Sequence, residues 1–278
     1  SPHFGNVYAA WDLNTNSGKQ FVQVARSTDG GATFQPPVRV GKKGGENIGA
    51  IPRVGPDGAV YVVWLGAGGG ACGNAFFISR SNDGGATWSS RRSITKVCAP
   101  GVQGLRTGDG LPSFAVNPAT GFMYVAWQDR RLTPTGHAGQ AVMITSTDRG
   151  NTWSAPVRIS AGPDDAPVFT VVVAAMADQQ VAVSYYSLQN DPQRAFLADE
   201  YVRVSPDGGK TFAPSVRVTP ASFDLRQAAL ADSGFPFLGD YQGIAGAKGT
   251  FHLLWINPGI ASTITGKPQP EALSSSAE

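Results

Sequence analysis

The chain has 278 residues, of which 35 are Gly and 20 are Pro; charged residues make up 15% and the net charge is +2. The low charge and the 41% hydrophobic content exclude a disordered chain, and the near-neutral balance argues against a nucleic-acid-binding surface. Because no apolar run approaches the ~20 residues that a transmembrane helix needs, we expect no membrane span.

Five short apolar runs that end in an aromatic residue are distributed along the chain. Each is too short for a typical helix and rich in β-branched and aromatic residues, which favours a buried strand. In chain order they are residues 7–11, 60–64, 123–127, 181–186 and 251–255.

A second pattern, which we call the Asp motif, follows four of these runs and reads Ser-x-Asp-x-Gly-x-Thr followed by Trp or Phe. Its acidic residues are Asp29, Asp83, Asp148 and Asp207. A carboxylate, two hydroxyls and a glycine are suited to satisfy the backbone of a tight turn. We therefore predict that these four residues are structural, with calcium binding at the turns left open.

Residues 48–97 contain one complete repeat. Strands are predicted over residues 48–54, 59–65, 75–81 and 91–97, joined by the turn Pro56-Asp57-Gly58, a Gly-rich loop and the second Asp motif. Four antiparallel strands that recur in this way indicate a β-propeller blade. We predict an all-β propeller of about five such blades, or an incomplete six-bladed one, over residues 1–266, and a flexible tail over residues 267–278.

The two cysteines, Cys72 and Cys98, flank the second Asp motif symmetrically. A disulfide across the blade is therefore plausible, and two free buried thiols are the alternative. A disulfide would indicate an oxidising compartment, so we expect an extracellular or periplasmic protein and interpret the chain as a processed form of it.

Long polar segments are predicted on the face opposite the Asp motifs, where function is expected. They are residues 12–19, 41–49, 98–112, 128–139, 187–200 and 220–240. Their acidic residues include Glu46, Asp109 and Asp240, and their arginines are Arg106, Arg130, Arg131, Arg194 and Arg226; Asp164 and Asp165 precede the first strand of the fourth blade in the same way. A solvated charge or a salt bridge that orders the loop is the alternative role for each.

The Asp motif resembles the Asp-box, or BNR repeat, of the sialidase-like propeller superfamily, and the resemblance covers nearly the whole chain. The stretch Gly239-Asp240-Tyr241-Gln242-Gly243 also resembles bacterial members. Sialidases hydrolyse a terminal sialic acid with retention, through a Tyr nucleophile, an activating Glu, an Asp acid/base and three arginines that bind the sugar carboxylate. The resemblance implies the following roles: Tyr241 as nucleophile, Asp109 or Asp240 as acid/base, Glu46 or Glu200 as activating base, and Arg106, Arg130 and Arg226 as substrate-binding residues.

One position departs from the sialidase pattern. Sialidases place Arg immediately before an Ile-Pro pair, whereas here Ala50 precedes Ile51-Pro52 and Arg53 follows it. A shift of one residue turns a side chain to the opposite face of a strand. Three functions therefore stay open: a carbohydrate-active protein of which a retaining exo-glycosidase is one form, a non-catalytic module that binds glycan or protein, and a polysaccharide lyase with His137 as base. We expect a monomer that acts on a glycan or glycoprotein without a cofactor.

Overall fold

The computed structural model describes residues 3–69, 71–108, 110–191, 196–259 and 271–277, with the backbone alone at residues 42–45, 271–273 and 277. Among these residues the regular structure is β-strand, apart from one 3-10 turn at Leu225–Gln227. The predicted all-β fold is therefore confirmed. The chain divides into two compact units: residues 1–98, 114–124 and 145–154 form the first, and residues 99–113, 125–144 and 155–278 form the second.

The first unit contains two antiparallel sheets, in the orders β1-β2-β3 and β4-β5-β6-β7. Their strands are β1 (Val7–Asn14), β2 (Gln20–Ser27), β3 (Val38–Gly45), β4 (Asn47–Val54), β5 (Val60–Ala67), β6 (Asn74–Ser81) and β7 (Arg92–Val97). The four strands predicted over residues 48–97 are confirmed to within two residues at each end.

A third sheet has the order β11-β10-β9-β8. Its strands are β8 (Ser113–Val116), β9 (Met123–Asp129), β10 (Gln140–Ser146) and β11 (Val157–Arg158).

The second unit contains the sheets β12-β13-β14-β15, with β16 also paired to β14, and β17-β18-β19. Their strands are β12 (Val168–Ala175), β13 (Val181–Ser187), β14 (Leu197–Ser205), β15 (Val216–Arg217), β16 (Phe223–Asp224), β17 (Gly243–Ala247), β18 (Thr250–Asn257) and β19 (Glu271–Ala277). Within this unit β12 lies beside β17. The flexible tail predicted over residues 267–278 is replaced at residues 271–277 by β19, because pairing along β18 satisfies backbone groups that would otherwise need water.

Two segments predicted as loops contain strand residues, and this changes where two candidate residues lie. Strand pairing continues to Gly45 in β3 and resumes at Asn47 in β4, so Glu46 occupies a single exposed bend between them. Likewise β14 begins at Leu197, and Glu200 pairs with Tyr186 inside the sheet. The predicted loop over residues 187–200 is therefore shorter by four residues at its C-terminal end.

Aromatic side chains dominate the core of the second unit. Phe169 stacks on Tyr186 with ring centroids 5.2 Å apart, and Tyr186 meets Phe223 edge-on at 6.0 Å. Phe223 in turn stacks on Trp255 at 6.1 Å. The apolar runs that end at Tyr186 and Trp255 therefore form one continuous core, as buried strands should.

Each Asp motif closes its turn with the same four hydrogen bonds. In the first copy, Ser27 Oγ donates to Asp29 Oδ1 (2.6 Å) and Gly31 N donates to Ser27 Oγ (2.9 Å). Thr33 then donates twice to the carboxylate, from N to Oδ1 (2.9 Å) and from Oγ1 to Oδ2 (2.6 Å). The copies around Asp83, Asp148 and Asp207 repeat these bonds within 0.3 Å. The carboxylates are thus engaged inside their own turns.

Replacing Asp83 by alanine is expected to lower the free energy of unfolding by about 1–2 kcal/mol. The carboxylate accepts from Ser81, Ala86 and Thr87, and charged hydrogen bonds at an exposed turn are partly screened by water. Urea denaturation followed by tryptophan fluorescence measures the change. The control is Asp178→Ala, an exposed turn aspartate that accepts from Gln180 and should cost less than about 0.5 kcal/mol. Equal losses in the two variants would contradict a special role for the motif.

The same hydrogen bonds make the stabilisation by the Asp motif depend on pH. Hydrogen bonds from Ser27 and Thr33 lower the pKa of Asp29 from 3.8 to about 2, and those from Thr152 and Thr211 do the same for Asp148 and Asp207. Because the folded pKa is depressed, the stabilisation is present above the unfolded value of 3.8 and is lost as pH falls through about 2.

Candidate functional site

An ion pair in the second unit joins two residues that are far apart in the sequence. Arg106 Nη1 lies 3.0 Å from Asp240 Oδ1. The backbones of the two segments also meet, because Arg106 N donates to Pro236 O (3.0 Å) and Arg106 pairs with Phe237 in an isolated parallel bridge. The structure therefore brings together two of the residues predicted for the site.

A glycine permits this close approach. A Cβ atom at Gly108 would lie 2.9 Å from the Asp240 carbonyl oxygen and 3.2 Å from its Oδ1. The Gly108 backbone can therefore pass against Asp240 where a larger residue would push it away. The predicted acid Asp109 follows immediately and lies outside the described residues.

A small, mainly apolar pocket adjoins the ion pair. The Arg106 guanidinium lies over the ring of Phe237, 4.9 Å from its centroid, a favourable cation–π geometry. The pocket is lined by Leu105, Arg106, Thr107, Phe169, Leu225, Pro236, Phe237, Leu238 and Gly239. The Arg106 and Asp240 side chains keep 41% and 29% of their surface exposed. The site therefore presents a donor, an acceptor and an apolar lining side by side.

Tyr241 follows Asp240 directly and stands 59% exposed, two residues before β17 begins. The predicted nucleophile is therefore accessible to solvent. The described contacts do not bring it against Glu200, whose carboxyl faces Ser184 and Gln242 inside the core.

Among the described carboxyl groups, Glu200 has the pKa that departs furthest from its ordinary value. Glu200 is 1% exposed, and Ser184 Oγ donates to its Oε1. Burial raises its pKa from 4.5 to about 8, and the neighbouring Ser184 and Gln242 side chains oppose this shift only in part. A carboxyl in this position is protonated at neutral pH, so it is poorly suited to remove a proton from a surface tyrosine.

Arg226, a predicted substrate-binding residue, pairs with a close neighbour. Its Nε and Nη2 donate to the Asp224 carboxylate at 2.9 and 2.7 Å, and this contact lowers the pKa of Asp224. Asp224 also accepts from Arg226 N and so caps the 3-10 turn whose Leu225 lines the pocket. The pair orders this turn, which is the loop-ordering role left open by the sequence.

The remaining candidates lie in other loops. Arg130 is exposed just after β9, where the adjacent Asp129 binds the Arg131 guanidinium (2.7 and 2.9 Å) and Trp127 Nε1 (2.8 Å). His137, the alternative lyase base, is exposed before β10. Glu46 belongs to the first unit.

Sequence reasoning missed three contributors to the site. Phe237 provides the face on which Arg106 rests, and Gln242 and Ser184 surround the Glu200 carboxyl. Gln242 lies in the stretch 239–243 that carries the resemblance to bacterial sialidase-like proteins, so that stretch held the signal.

The residues that the structure describes contain no cluster of three or more His, Cys, Asp or Glu side chains arranged to hold a metal ion. Nor do they contain a helix long and apolar enough to cross a membrane.

Comparison with known proteins supports the fold. No family model matches the chain. A sialidase of Bacteroides fragilis (strain YCH46) is 32% identical over 97 residues, covering 30% of this chain and 18% of that protein. The matched part of the chain therefore spans less than a fifth of that relative.

Solved structures of other proteins also have a similar fold. The α-L-arabinofuranosidase Arb93A of Fusarium graminearum, in complex with an iminosugar inhibitor, aligns with a TM-score of 0.52 and 16% identity over 83% of this chain and 62% of that one. The Hadza microbial sialidase Hz136 aligns with a TM-score of 0.51 and 15% identity over 93% of this chain and 52% of that one. The chain therefore shares the β-propeller fold of these two structures. The number of blades stays a prediction.

Proposed function

We propose that this chain is a carbohydrate-active protein that binds a sugar residue at the pocket beside the Arg106–Asp240 pair. The observation that carries the proposal is this pair, half-open to solvent against the ring of Phe237. Sugar hydroxyls need both a donor and an acceptor, and charged partners make the stronger hydrogen bonds. The apolar lining suits the C–H face of a sugar ring. The sialidase and the arabinofuranosidase that share the fold support a glycan partner.

Binding receives more support than sialidase chemistry. A sialic-acid carboxylate must be met by arginines that are free to form ion pairs, whereas Arg106 and Arg226 are each engaged by an aspartate of the chain itself. The carboxyl of Glu200, a candidate activating base, is buried and neutral.

A retaining exo-glycosidase is the second candidate. It is favoured by the exposed phenol of Tyr241, which directly follows Asp240. The Asp240 carboxylate forms an ion pair with Arg106, which lines the pocket. In this case Tyr241 would attack the anomeric carbon and Asp240 would serve as acid/base. Hydrolysis of fluorogenic sialosides and arabinofuranosides by wild type and Tyr241→Phe decides it, and turnover that is unchanged in the variant would remove Tyr241 as nucleophile.

The binding proposal is tested with Arg106→Met. The variant should bind its glycan about tenfold more weakly, a loss of about 1.4 kcal/mol, because it keeps the aliphatic stem over Phe237 but loses the donors. A glycan array that contains neutral and sialylated ligands identifies the ligand, and calorimetry measures the change. Lys248→Met, which removes an exposed charge at the β17–β18 turn, is the matched control and should bind as wild type. Equal affinities of Arg106→Met and wild type would contradict the site.

We also propose an extracellular or periplasmic location and a monomeric state. The disulfide between Cys72 and Cys98, which confirms the pairing predicted from the sequence, supports the location because such bonds persist in oxidising compartments.

A further inference from the structure

A buried carboxyl in the second unit lacks the partners that an ionised group needs. Glu200 lies in β14 between Ala198 and Val202, and alternation along a strand puts all three on one face. Ala198 and Val202 belong to the aromatic core that also contains Tyr186 and Trp255. Among the described residues no cationic side chain forms an ion pair with Glu200.

Glu200 Oε2 and Gln242 Oε1 are two of the buried oxygens that lack a hydrogen-bond partner in the described part of the chain, and Thr170 Oγ1 is another. Ser184 Oγ donates to Glu200 Oε1, while Glu200 Oε2 has no partner in the described part of the chain. Gln242 lies within interaction reach of the same carboxyl. Its Nε2 donates to Thr170 O (2.7 Å), and its Oε1 is also buried without a partner. One proton between the two side chains would satisfy both orphan oxygens, each of which is costly to bury unpaired.

The backbone around Thr170 is shaped for this contact. β12 has an irregular register between Phe169 and Val172, and Thr170 adopts a left-handed φ of 50°. Such a conformation is uncommon for a β-branched residue and persists where the surroundings hold it. Here it accompanies the Thr170 carbonyl that fixes the Gln242 amide.

We propose that Glu200 is a neutral carboxylic acid that donates its proton to Gln242 Oε1, and that this proton holds the 240–242 segment against β14. Glu200 is therefore a positioning residue for Asp240 and Tyr241. The effect on ligand binding rests on the proposed function, whereas the protonation itself does not.

The other groups that face the carboxyl do not supply a competing charge. Among the described residues, the side chains that interact with the carboxyl are Ser184 and Tyr186 from β13 and Gln242 from the segment before β17. Tyr186, the titratable one among them, accepts from Ile256 N (2.8 Å) and donates to Ile256 O (3.3 Å). Burial first, and the nearby Glu200 second, raise the pKa of Tyr186 well above 10. Its phenol therefore stays neutral while Glu200 titrates.

The stability that protonated Glu200 contributes should fall as pH rises. Burial raises the pKa of Glu200 from 4.5 to about 8, so the protonated form contributes stability fully below pH 4.5. That contribution declines as pH rises and is gone above about pH 8. Within this window the folding equilibrium constant should fall by up to about tenfold per pH unit.

Glu200→Gln tests the proposal. The amide keeps the shape of the acid, accepts from Ser184 through Oε1 and donates to Gln242 through Nε2 at every pH. Urea midpoints measured from pH 5.5 to 8.5 should fall for the wild type and for the control Asp178→Asn, and stay level for Glu200→Gln. A Glu200→Gln midpoint that falls as steeply as that of the wild type would overturn the proposal.

Infrared spectroscopy of the wild type gives a readout that does not depend on the variant's folding. The carbonyl stretch of a buried protonated carboxyl should be present at pH 6 and disappear as pH passes about 8. Its absence at pH 6 would overturn the proposal even if Glu200→Gln fails to fold.

Glycan binding then separates the two claims. If the proposed function holds, wild-type affinity should fall above pH 8 while that of Glu200→Gln does not. If neither protein binds a glycan at any pH, the proposed function fails, and the stability and infrared results still decide the protonation.

Discussion

Asp199→Ala is expected to lower the free energy of unfolding by about 3 kcal/mol. The Asp199 carboxylate is fully buried and binds the Arg217 guanidinium through Nε (2.8 Å) and Nη2 (2.6 Å). It also accepts from Thr219 (2.7 Å), Ser222 (3.0 Å) and Asn190 (2.8 Å). Removing one member of a buried pair typically costs about 3–5 kcal/mol. The lower end applies because Arg217 keeps 36% of its side chain exposed and can be hydrated.

The measurement is urea denaturation of Asp199→Ala beside Asp224→Ala. Asp224 also pairs with an arginine, Arg226, but the side chain of that arginine is 58% exposed. Asp224→Ala should therefore lower the free energy of unfolding by less than about 1 kcal/mol. Asp199→Asn should fall between the two, because an amide keeps the volume and one acceptor but not the charge. Equal midpoints for Asp199→Ala and Asp224→Ala would show that the buried network does not stabilise the fold.

The predictions that were confirmed depend on local sequence. A strand, or a turn that must satisfy its own backbone, is specified by residues a few positions apart. The strands β4 to β7 therefore match the sequence pattern closely, as does the disulfide that spans the second Asp motif.

The site depends on contacts that no local pattern specifies. The Arg106–Asp240 pair spans 134 positions, so the partner of Arg106 could not be identified from its neighbours. The Arg226–Asp224 pair is different, because its residues lie only two positions apart along the chain, and a local salt bridge could have been favoured over substrate binding.

The prediction that Glu200 lies in a loop was wrong because β14 begins earlier than the sequence pattern indicated. A loop over residues 187–200 would leave Glu200 accessible to solvent. Alternation along Ala198, Glu200 and Val202 would have placed it on the apolar face once the strand was extended to Leu197. A carboxyl at such a position is neutral unless it is paired, so one boundary changes its expected chemistry from base to buried acid.

Removing the disulfide is expected to lower the free energy of unfolding by about 3 kcal/mol. The change should act mainly on the unfolded state and less on the folded one. Cys72 lies in the loop between β5 and β6, Cys98 directly follows β7, and 26 positions separate them with Cα atoms 4.9 Å apart. Opening a loop of this size restores conformational entropy to the unfolded chain worth about 3 kcal/mol. In the folded state β6 and β7 remain paired from Asn74↔Val97 to Ile78↔Arg92.

The double variant Cys72→Ser/Cys98→Ser should therefore keep the wild-type circular dichroism spectrum and unfold at a lower urea concentration. Wild type treated with a reductant should shift to the same midpoint, because it loses the same constraint without any change of sequence. The double variant should not respond to reductant, which controls for effects of the reagent itself. A wild-type midpoint that is the same with and without reductant, while free-thiol titration shows both cysteines reduced, would mean that the strands of this sheet alone account for its stability.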